Sequence, residues 1–205
     1  MNVLDAIAHT LKREGIEYLC TFPTTHIIES AAELGIRPII CRQERVGVGM
    51  ADGYARAGGR FGVCLSTTGP AALNVLTPLG TAFADSVPIL SIASEIPSRG
   101  LGLGKGFLHE CADQLGCYTP VTKFSARVSE VESIAPALCS AIAEITSGRP
   151  RPAAIDIPCD ILDADGVLGE VVPVESDPVG CDAESIERVA AVLEGARRPL
   201  IWAGG

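Results

Sequence analysis

The sequence predicts an α/β fold, a mainly parallel sheet with helices on both faces. Helix-like and strand-like segments alternate along residues 3–157, as parallel strands require because each connection between them crosses over through a helix. The strand-like segments are short, continuous apolar runs, which is typical of strands buried on both sides. Hydrophobic residues make up 47% of the 205 residues, enough for the core of one full domain and part of another.

The first part of the alternation begins with a helix over residues 3–14, where apolar residues recur at helical spacing. A short apolar run from Tyr18 to Phe22, ended by Pro23, predicts the first strand. Pro70 stands at a first-turn position, where proline is tolerated. The remaining predictions are helices over 27–34, 45–57 and 70–84, and strands over 38–41, 61–65 and 87–93.

The second part follows a glycine-rich loop over residues 94–106. It comprises a strand over 123–128, a helix over 133–146 and a strand over 153–157. The next residues are rich in Asp, Pro, Gly and Val without a sustained period, and a helix over 183–193 and a strand over 199–203 then begin a new unit. We therefore expect one domain over 1–160, a linker over 161–181 and the incomplete start of a middle domain over 182–205.

Charge and composition narrow the class of protein. The formal net charge of −9 and the pI of about 4.8 argue against nucleic acid and anionic membrane surfaces as partners. No apolar run approaches the roughly 18 residues of a membrane span, and the first residues lack signal-peptide features, so we expect a cytoplasmic protein. The eight cysteines include no Cys-x-x-Cys pair, and we interpret those in strand-like runs as reduced, buried small side chains.

The residues after each strand are the first candidates for a site, because ligands of parallel sheets bind at the carboxyl ends of the strands. Glu44 falls at such an end, where the helix over 45–57 begins. From the residues alone it is either a functional carboxylate or a helix-start carboxylate favoured by the helix dipole. The same helix contains Gly47, Gly49 and Gly53. Each costs roughly 1 kcal/mol relative to alanine, so we expect another backbone, from the sheet or from a partner subunit, to approach this helix.

A second candidate is the turn after the strand over 61–65. The run Ser-Thr-Thr-Gly-Pro-Ala-Ala-Leu-Asn over residues 66–74 combines a small polar turn with a helix N-terminus. Such a turn accepts an anion or a flat ligand, although Thr68 could equally be an ordinary N-cap. The glycine run over residues 100–106 fits neither of the phosphate-binding glycine motifs, which makes a nucleotide-binding Rossmann protein a poor alternative.

Two runs carry a family resemblance: RQERVGVGMADGYAR, and GVCLSTTGPAALNVLTPLGTAFADSVPILSIAS further along the chain. They resemble the pyrimidine-binding (PYR) domain of the acetolactate synthase and 2-oxo-acid decarboxylase family of thiamine-diphosphate enzymes. The resemblance covers roughly residues 1–160 and preserves the order and spacing of the motifs.

The resemblance implies roles for individual residues. Glu44 matches the glutamate that hydrogen-bonds N1′ of the cofactor's aminopyrimidine. A proton shared between this glutamate and N1′ favours the imino form of the cofactor, whose imino nitrogen removes the C2 proton of the thiazolium. Gly69, Pro70 and Asn74 match the turn that lines the pyrimidine pocket. These four residues form the implied cofactor-binding set.

Substrate-side residues are implied by position in the same way. Thr24 and Thr25 stand where the family has a glycine-containing turn that faces the substrate, and their departure from glycine leaves the identity of the substrate open. His109 lies in the loop that supplies an active-site His or Gln in relatives. Its implied role is that of a substrate-side proton donor, with a structural role as the alternative.

The resemblance further implies the N-terminal part of a thiamine-diphosphate-dependent enzyme, a carboligase or decarboxylase that acts on a 2-oxo acid. Relatives bind the diphosphate and Mg²⁺ through a Gly-Asp-Gly motif in another domain, and that motif does not occur in this sequence. The implied partner is a diphosphate-binding domain of another subunit or chain, in a homo- or hetero-oligomer. Two alternatives remain: the PYR subunit of a split two-chain decarboxylase, and a truncated binding module without catalysis.

Overall fold

The computed structural model of the chain describes residues 2–23, 25–58, 60–166 and 180–202. The chain divides into two compact units, Met1–Glu175 and Ser176–Gly205. The described residues of the first unit form six strands, all paired in parallel: β1 (Tyr18–Thr21), β2 (Arg37–Ile40), β3 (Gly62–Ser66), β4 (Ile89–Glu95), β5 (Phe124–Arg127) and β6 (Ala153–Pro158). They form one sheet in the order β2-β1-β3-β4-β6-β5, so the predicted parallel α/β fold is confirmed.

Helices connect the strands and cover both faces of the sheet. Those described in the first unit are α1 (Val3–Arg13), α2 (Ile28–Glu33), α3 (Glu44–Arg56), α4 (Pro70–Asn74), α5 (Leu76–Asp85), α6 (Gln114–Tyr118), α7 (Ile134–Thr146) and α8 (Cys159–Leu162). One hydrophobic cluster joins α1, α2, α7 and α8 to one face of the sheet, and a second joins α3, α4, α5 and α6 to the other. Neighbouring residues of β3 alternate between the two clusters, because successive strand side chains point to opposite faces.

The burial of the strands matches their place in the sheet. Every residue of β3, β4 and β6 is buried, whereas the two edge strands β2 and β5 are partly exposed. The continuous apolar runs that predicted the strands therefore come from two-sided burial in the centre of the sheet. The cysteine prediction is also confirmed for Cys20, Cys41 and Cys64, which are buried and unpaired.

One predicted helix is divided in two. The segment over 70–84 forms α4 and α5 with a break at Val75. Pro78 has no N–H to donate to the carbonyl of Asn74, and its ring crowds that carbonyl. Helical bonding resumes where Leu79 donates to Val75 O at 3.1 Å. The break leaves Asn74 at the end of a short helix.

The second unit is described over residues 180–202 and contains α9 (Ala183–Glu194). Asp182 caps this helix by accepting a hydrogen bond from the backbone N–H of Ser185 at 2.8 Å. The predicted strand over 199–203 is wrong for residues 199–202, which form no strand. A strand needs a neighbour to pair with, and the described residues of this unit offer none. Much of the predicted linker, residues 167–179, lies outside the described part of the chain, as do residues 203–205.

The sheet topology singles out one place on the molecule. β1 lies between β2 and β3 in the sheet. The chain therefore passes from β1 to β2 in one direction across the sheet and returns past β1 to β3 in the other. Ligands of open α/β sheets bind in the crevice at such a switch point, outside the carboxyl ends of the strands. The segment that leads into α3 and the turn that precedes α4 both follow strands at this edge.

Candidate functional site

Glu44 and Asn74 meet at the switch point. Glu44 is the first residue of α3, with its side chain buried, and Asn74 is the last residue of α4. Asn74 Nδ2 donates a hydrogen bond to Glu44 Oε2 at 2.9 Å. Among the described residues this is the one hydrogen bond to the Glu44 side chain, so Oε1 can accept a hydrogen bond from a ligand.

The turn before α4 is shaped by a glycine in an unusual conformation. Gly69 has φ +60° and ψ −113°, a region that side-chain-bearing residues avoid. A Cβ at this position would lie 2.0 Å from the carbonyl oxygen of His109. His109 itself has φ +63°. The loop that carries His109 therefore lies directly against the Gly69–Pro70 turn, and only glycine permits that approach.

The structure thus brings together Glu44, Asn74, Gly69, Pro70 and the backbone of His109. The His109 side chain is exposed, and it lines an open cleft of about 570 Å³ with Gly102, Gly104, Gly106, Phe107, Glu110 and Ala112.

The predicted substrate-side threonines are described in part. Thr24 lies outside the described residues. Thr25 follows β1, and its hydroxyl shares a hydrogen bond with that of Thr21 at 2.7 Å. Thr25 also lines a small cavity beside Ser66 and Ser94, at the ends of β3 and β4. It therefore lies at the same edge of the sheet as the candidate site.

Four further polar residues at this edge were missed by the sequence analysis, and we call them the strand-end network: Glu95, Gln114, Arg127 and Asp156. Arg127 Nε donates to Asp156 Oδ2 at 2.9 Å, and Arg127 Nη2 lies 3.4 Å from Glu95 Oε2. Gln114 Nε2 donates to Asp156 Oδ1 at 2.6 Å. The three charged members stand at or near the ends of otherwise uncharged strands, a signal that the sequence contained. Gln114 has no such local signal.

Comparison with known proteins shows the family of the chain. Residues 1–117 match the family described as "Thiamine pyrophosphate enzyme, N-terminal TPP binding domain". The chain belongs to this family. The matched residues include Glu44, the Gly69–Pro70 turn, Asn74 and His109, so the candidate site lies within the family's N-terminal domain.

Named relatives match almost the whole chain. The probable 2-ketoarginine decarboxylase AruI of Pseudomonas aeruginosa is 40% identical over 206 residues, covering 98% of this chain and 37% of that protein. The acetolactate synthase isozyme 2 large subunit of Escherichia coli K12 is 30% identical over 208 residues, covering 100% of this chain and 37% of that protein. A probable acetolactate synthase large subunit of Methanocaldococcus jannaschii is also 30% identical, over 215 residues. The chain therefore spans a little over a third of the length of these relatives.

The residues at the site fit the aminopyrimidine that defines thiamine pyrophosphate enzymes. Glu44 offers a buried carboxylate with one oxygen already oriented by Asn74, and a carboxylate is the acceptor that a protonated ring nitrogen requires. Gly69 and Pro70 form a turn without a projecting polar side chain, and the exposed Pro70 offers a surface against which a flat ring can pack. In the described part of the chain, no group of three or more His, Cys, Asp or Glu residues is arranged to hold a metal ion. Nor is any described helix long and apolar enough to cross a membrane.

Burial changes the acidity of the strand-end network. Burial raises the pKa of Glu95 to about 7, opposed by the N–H of Ile96 and by Arg127. Burial also raises the pKa of Asp156, again against the effect of Arg127. Burial favours the uncharged form of a carboxyl group, and Glu95 is 1% exposed. The network therefore releases a proton close to neutral pH.

We expect the stability of the first unit to fall as the pH rises to 7. Folded Glu95 keeps its proton up to about pH 7, whereas an unfolded glutamate loses it near pH 4.3. Between these values the folded state binds more protons, so the free energy of unfolding decreases as the pH rises. Urea unfolding at a series of pH values measures this slope. Glu95→Gln, which mimics the protonated acid, should reduce the slope, while Glu33→Gln, an exposed carboxylate in α2, should not. Equal slopes in wild type and Glu95→Gln would contradict the assignment.

Proposed function

We propose that this chain binds the aminopyrimidine of thiamine diphosphate, with Glu44 as the residue that hydrogen-bonds N1′, in an enzyme that acts on a 2-oxo acid. The observation that carries the proposal is the Glu44–Asn74 pair beside the Gly69–Pro70 turn. It places a buried, oriented carboxylate beside a turn without a polar side chain, at the switch point of the sheet.

Each residue then has a task. Glu44 holds a proton at N1′, and Asn74 keeps the carboxylate in position for it. Gly69 allows the ring and the His109 loop to approach the same turn, and His109 faces the cleft as a substrate-side proton donor. Thr24 and Thr25 belong to the substrate side of the site. When bound, the cofactor supplies the electron sink that the chemistry of 2-oxo acids requires.

The diphosphate and its Mg²⁺ are assigned to a domain outside this chain, in another subunit or in a partner chain. The outer face of α3 supports such an interface. Val46 and Met50 are 48% and 39% exposed, and a Cβ on Gly49 or Gly53 would meet no atom within 4 Å. Gly47, in contrast, faces the sheet, where a Cβ would lie 3.1 Å from Cys41 Sγ. The sheet therefore accounts for one of the three helix glycines, and a partner that packs on α3 accounts for the other two.

Two observations, the similarity to named relatives and the lining of the cleft, support a proposal for the substrate class. The 40% identity to a probable 2-ketoarginine decarboxylase exceeds the 30% identity to two acetolactate synthase subunits. Glu110 lines the cleft beside His109, and a carboxylate is the partner that a guanidinium group takes. These observations favour a 2-oxo acid with a cationic side chain, decarboxylated rather than joined to a second 2-oxo acid.

The test compares the complete enzyme with the 205-residue chain alone. By complete enzyme we mean this chain together with a diphosphate-binding domain, supplied by the same polypeptide or by a partner. With thiamine diphosphate and Mg²⁺, we expect the complete enzyme to release carbon dioxide from 2-ketoarginine and the chain alone to show negligible activity. Turnover by the chain alone would contradict the need for a second domain. Conversion of pyruvate to acetolactate without turnover of 2-ketoarginine would instead place the enzyme with the synthases.

A further inference from the structure

Gln114 is a buried amide whose polar atoms are all engaged. It is the first residue of α6 and is fully buried. Its Oε1 accepts the backbone N–H of Gly69 at 2.6 Å, while Nε2 donates to Asp156 Oδ1 at 2.6 Å and to the carbonyl oxygen of Ser94 at 2.9 Å. One side chain therefore joins the Gly69–Pro70 turn to β4 and β6.

The strand-end network holds this amide in one orientation. Asp156 accepts from Arg127 through its second oxygen, and Arg127 also approaches Glu95, which accepts the N–H of Ile96 at 2.8 Å. Asp156 and the Ser94 carbonyl both offer acceptors to Gln114, so the NH₂ end must face them and the carbonyl end must face Gly69. Rotating the amide would place two acceptors against each other.

The contact is made at the point where the turn needs support. Gly69 has a backbone conformation that few residues adopt, and its carbonyl oxygen accepts from Leu73 N at 2.8 Å to begin α4. At the other end of this five-residue helix, Asn74 donates to Glu44. A movement of Gly69 would therefore move the residue that orients Glu44.

We propose that Gln114 is a positioning residue that holds the Gly69–Pro70 turn and, through α4, the Asn74–Glu44 pair in the geometry that receives the aminopyrimidine. This role rests on the proposed function. Gln114 does not itself touch the cofactor: it acts through the Gly69 N–H.

The first test needs no cofactor. In the isotopically labelled chain, Gln114→Ala should accelerate hydrogen exchange of the Gly69 amide by roughly tenfold or more, because its acceptor is lost. Exchange of the Val63 and Leu65 amides in β3 should be unchanged. Gln114→Glu keeps an acceptor for Gly69 but puts a second carboxyl against Asp156, so it should also accelerate exchange. Adding Asp156→Asn to Gln114→Glu restores a donor opposite an acceptor and should recover part of the protection.

The second test measures cofactor affinity in the complete enzyme. Gln114→Ala should raise the Kd for thiamine diphosphate roughly tenfold. The double variant should recover part of the lost affinity, and the KM for substrate should change little.

Unchanged Gly69 exchange in Gln114→Ala would overturn the proposal. Faster exchange with unchanged cofactor affinity would also overturn it, although the proposed function would stand. If Gln114→Ala fails to fold, the comparison of Gln114→Glu with the double variant decides, and equal Gly69 exchange in those two variants would overturn the proposal. Failure of the proposed function itself would appear as a complete enzyme that binds no thiamine diphosphate.

Discussion

Replacing Glu44 by glutamine is expected to slow exchange of the C2 proton of bound thiamine diphosphate by about 10²–10⁴-fold, the usual worth of a positioned proton-transfer group. Glutamine has nearly the same shape as glutamate, and its carbonyl oxygen still accepts from Asn74 Nδ2. It cannot share a proton with N1′ as a carboxylate does. The fold should survive, because the substitution removes only a first-turn charge, worth about 0.3–1 kcal/mol at a helix N-terminus.

The exchange rate is measured by NMR in the complete enzyme, at saturating cofactor. A matched control is Glu29→Gln, which removes an exposed carboxylate from the first turn of α2. If Glu44 only interacted with the dipole of its helix, the two variants would show the same C2-proton exchange rate. Equal exchange rates in wild type and Glu44→Gln would make Glu44 a structural carboxylate and refute its proposed role.

The second large effect is expected at Gly62, in β3. A Cβ at this position would lie 2.2 Å from the carbonyl oxygen and 2.6 Å from the carbonyl carbon of Ala51, in the backbone of α3. No side-chain rotation relieves such a clash, so α3 must move away from the sheet. We expect Gly62→Ala to lower the free energy of unfolding by about 3 kcal/mol, the upper end of typical overpacking costs. Because α3 carries Glu44, cofactor affinity should fall as well.

Gly49→Ala provides the control, since Gly49 lies in α3 with no atom within 4 Å of its would-be Cβ. Alanine is the better helix former, so this variant should gain up to about 1 kcal/mol in denaturant unfolding. An equal loss of stability in both variants would contradict the close packing inferred at Gly62.

The Gly49→Ala variant also tests the interface proposed on α3. In the complete enzyme, Gly49→Ala should weaken association with the diphosphate-binding domain by about tenfold, measured by sedimentation. Unchanged association would place the partner elsewhere.

Much of the fold could be predicted from local patterns, because the period of apolar residues is a local property. The runs that became β3, β4 and β6 are continuous because both faces of those strands are buried. The break between α4 and α5 also has a local signal, Pro78, but the whole segment was predicted as one helix. The strand predicted over 199–203 shows what local patterns fail to predict. An apolar run forms a strand only where another strand pairs with it, and periodicity carries no information about pairing.

For the candidate site, local patterns in the sequence indicate which residues are available, and the family resemblance indicates which motifs they belong to. Glu44, Gly69, Pro70, Asn74 and His109 were all predicted in this way. Their contacts form only in the folded chain. Asn74 meets Glu44 across 30 residues of chain, and Gln114 meets Gly69 and Asp156 across 45 and 42 residues. Such contacts depend on strand order and helix packing, which bring distant segments to one edge of the sheet. A buried amide such as Gln114 therefore acquires its partners, and its proposed role, only when the sheet is assembled.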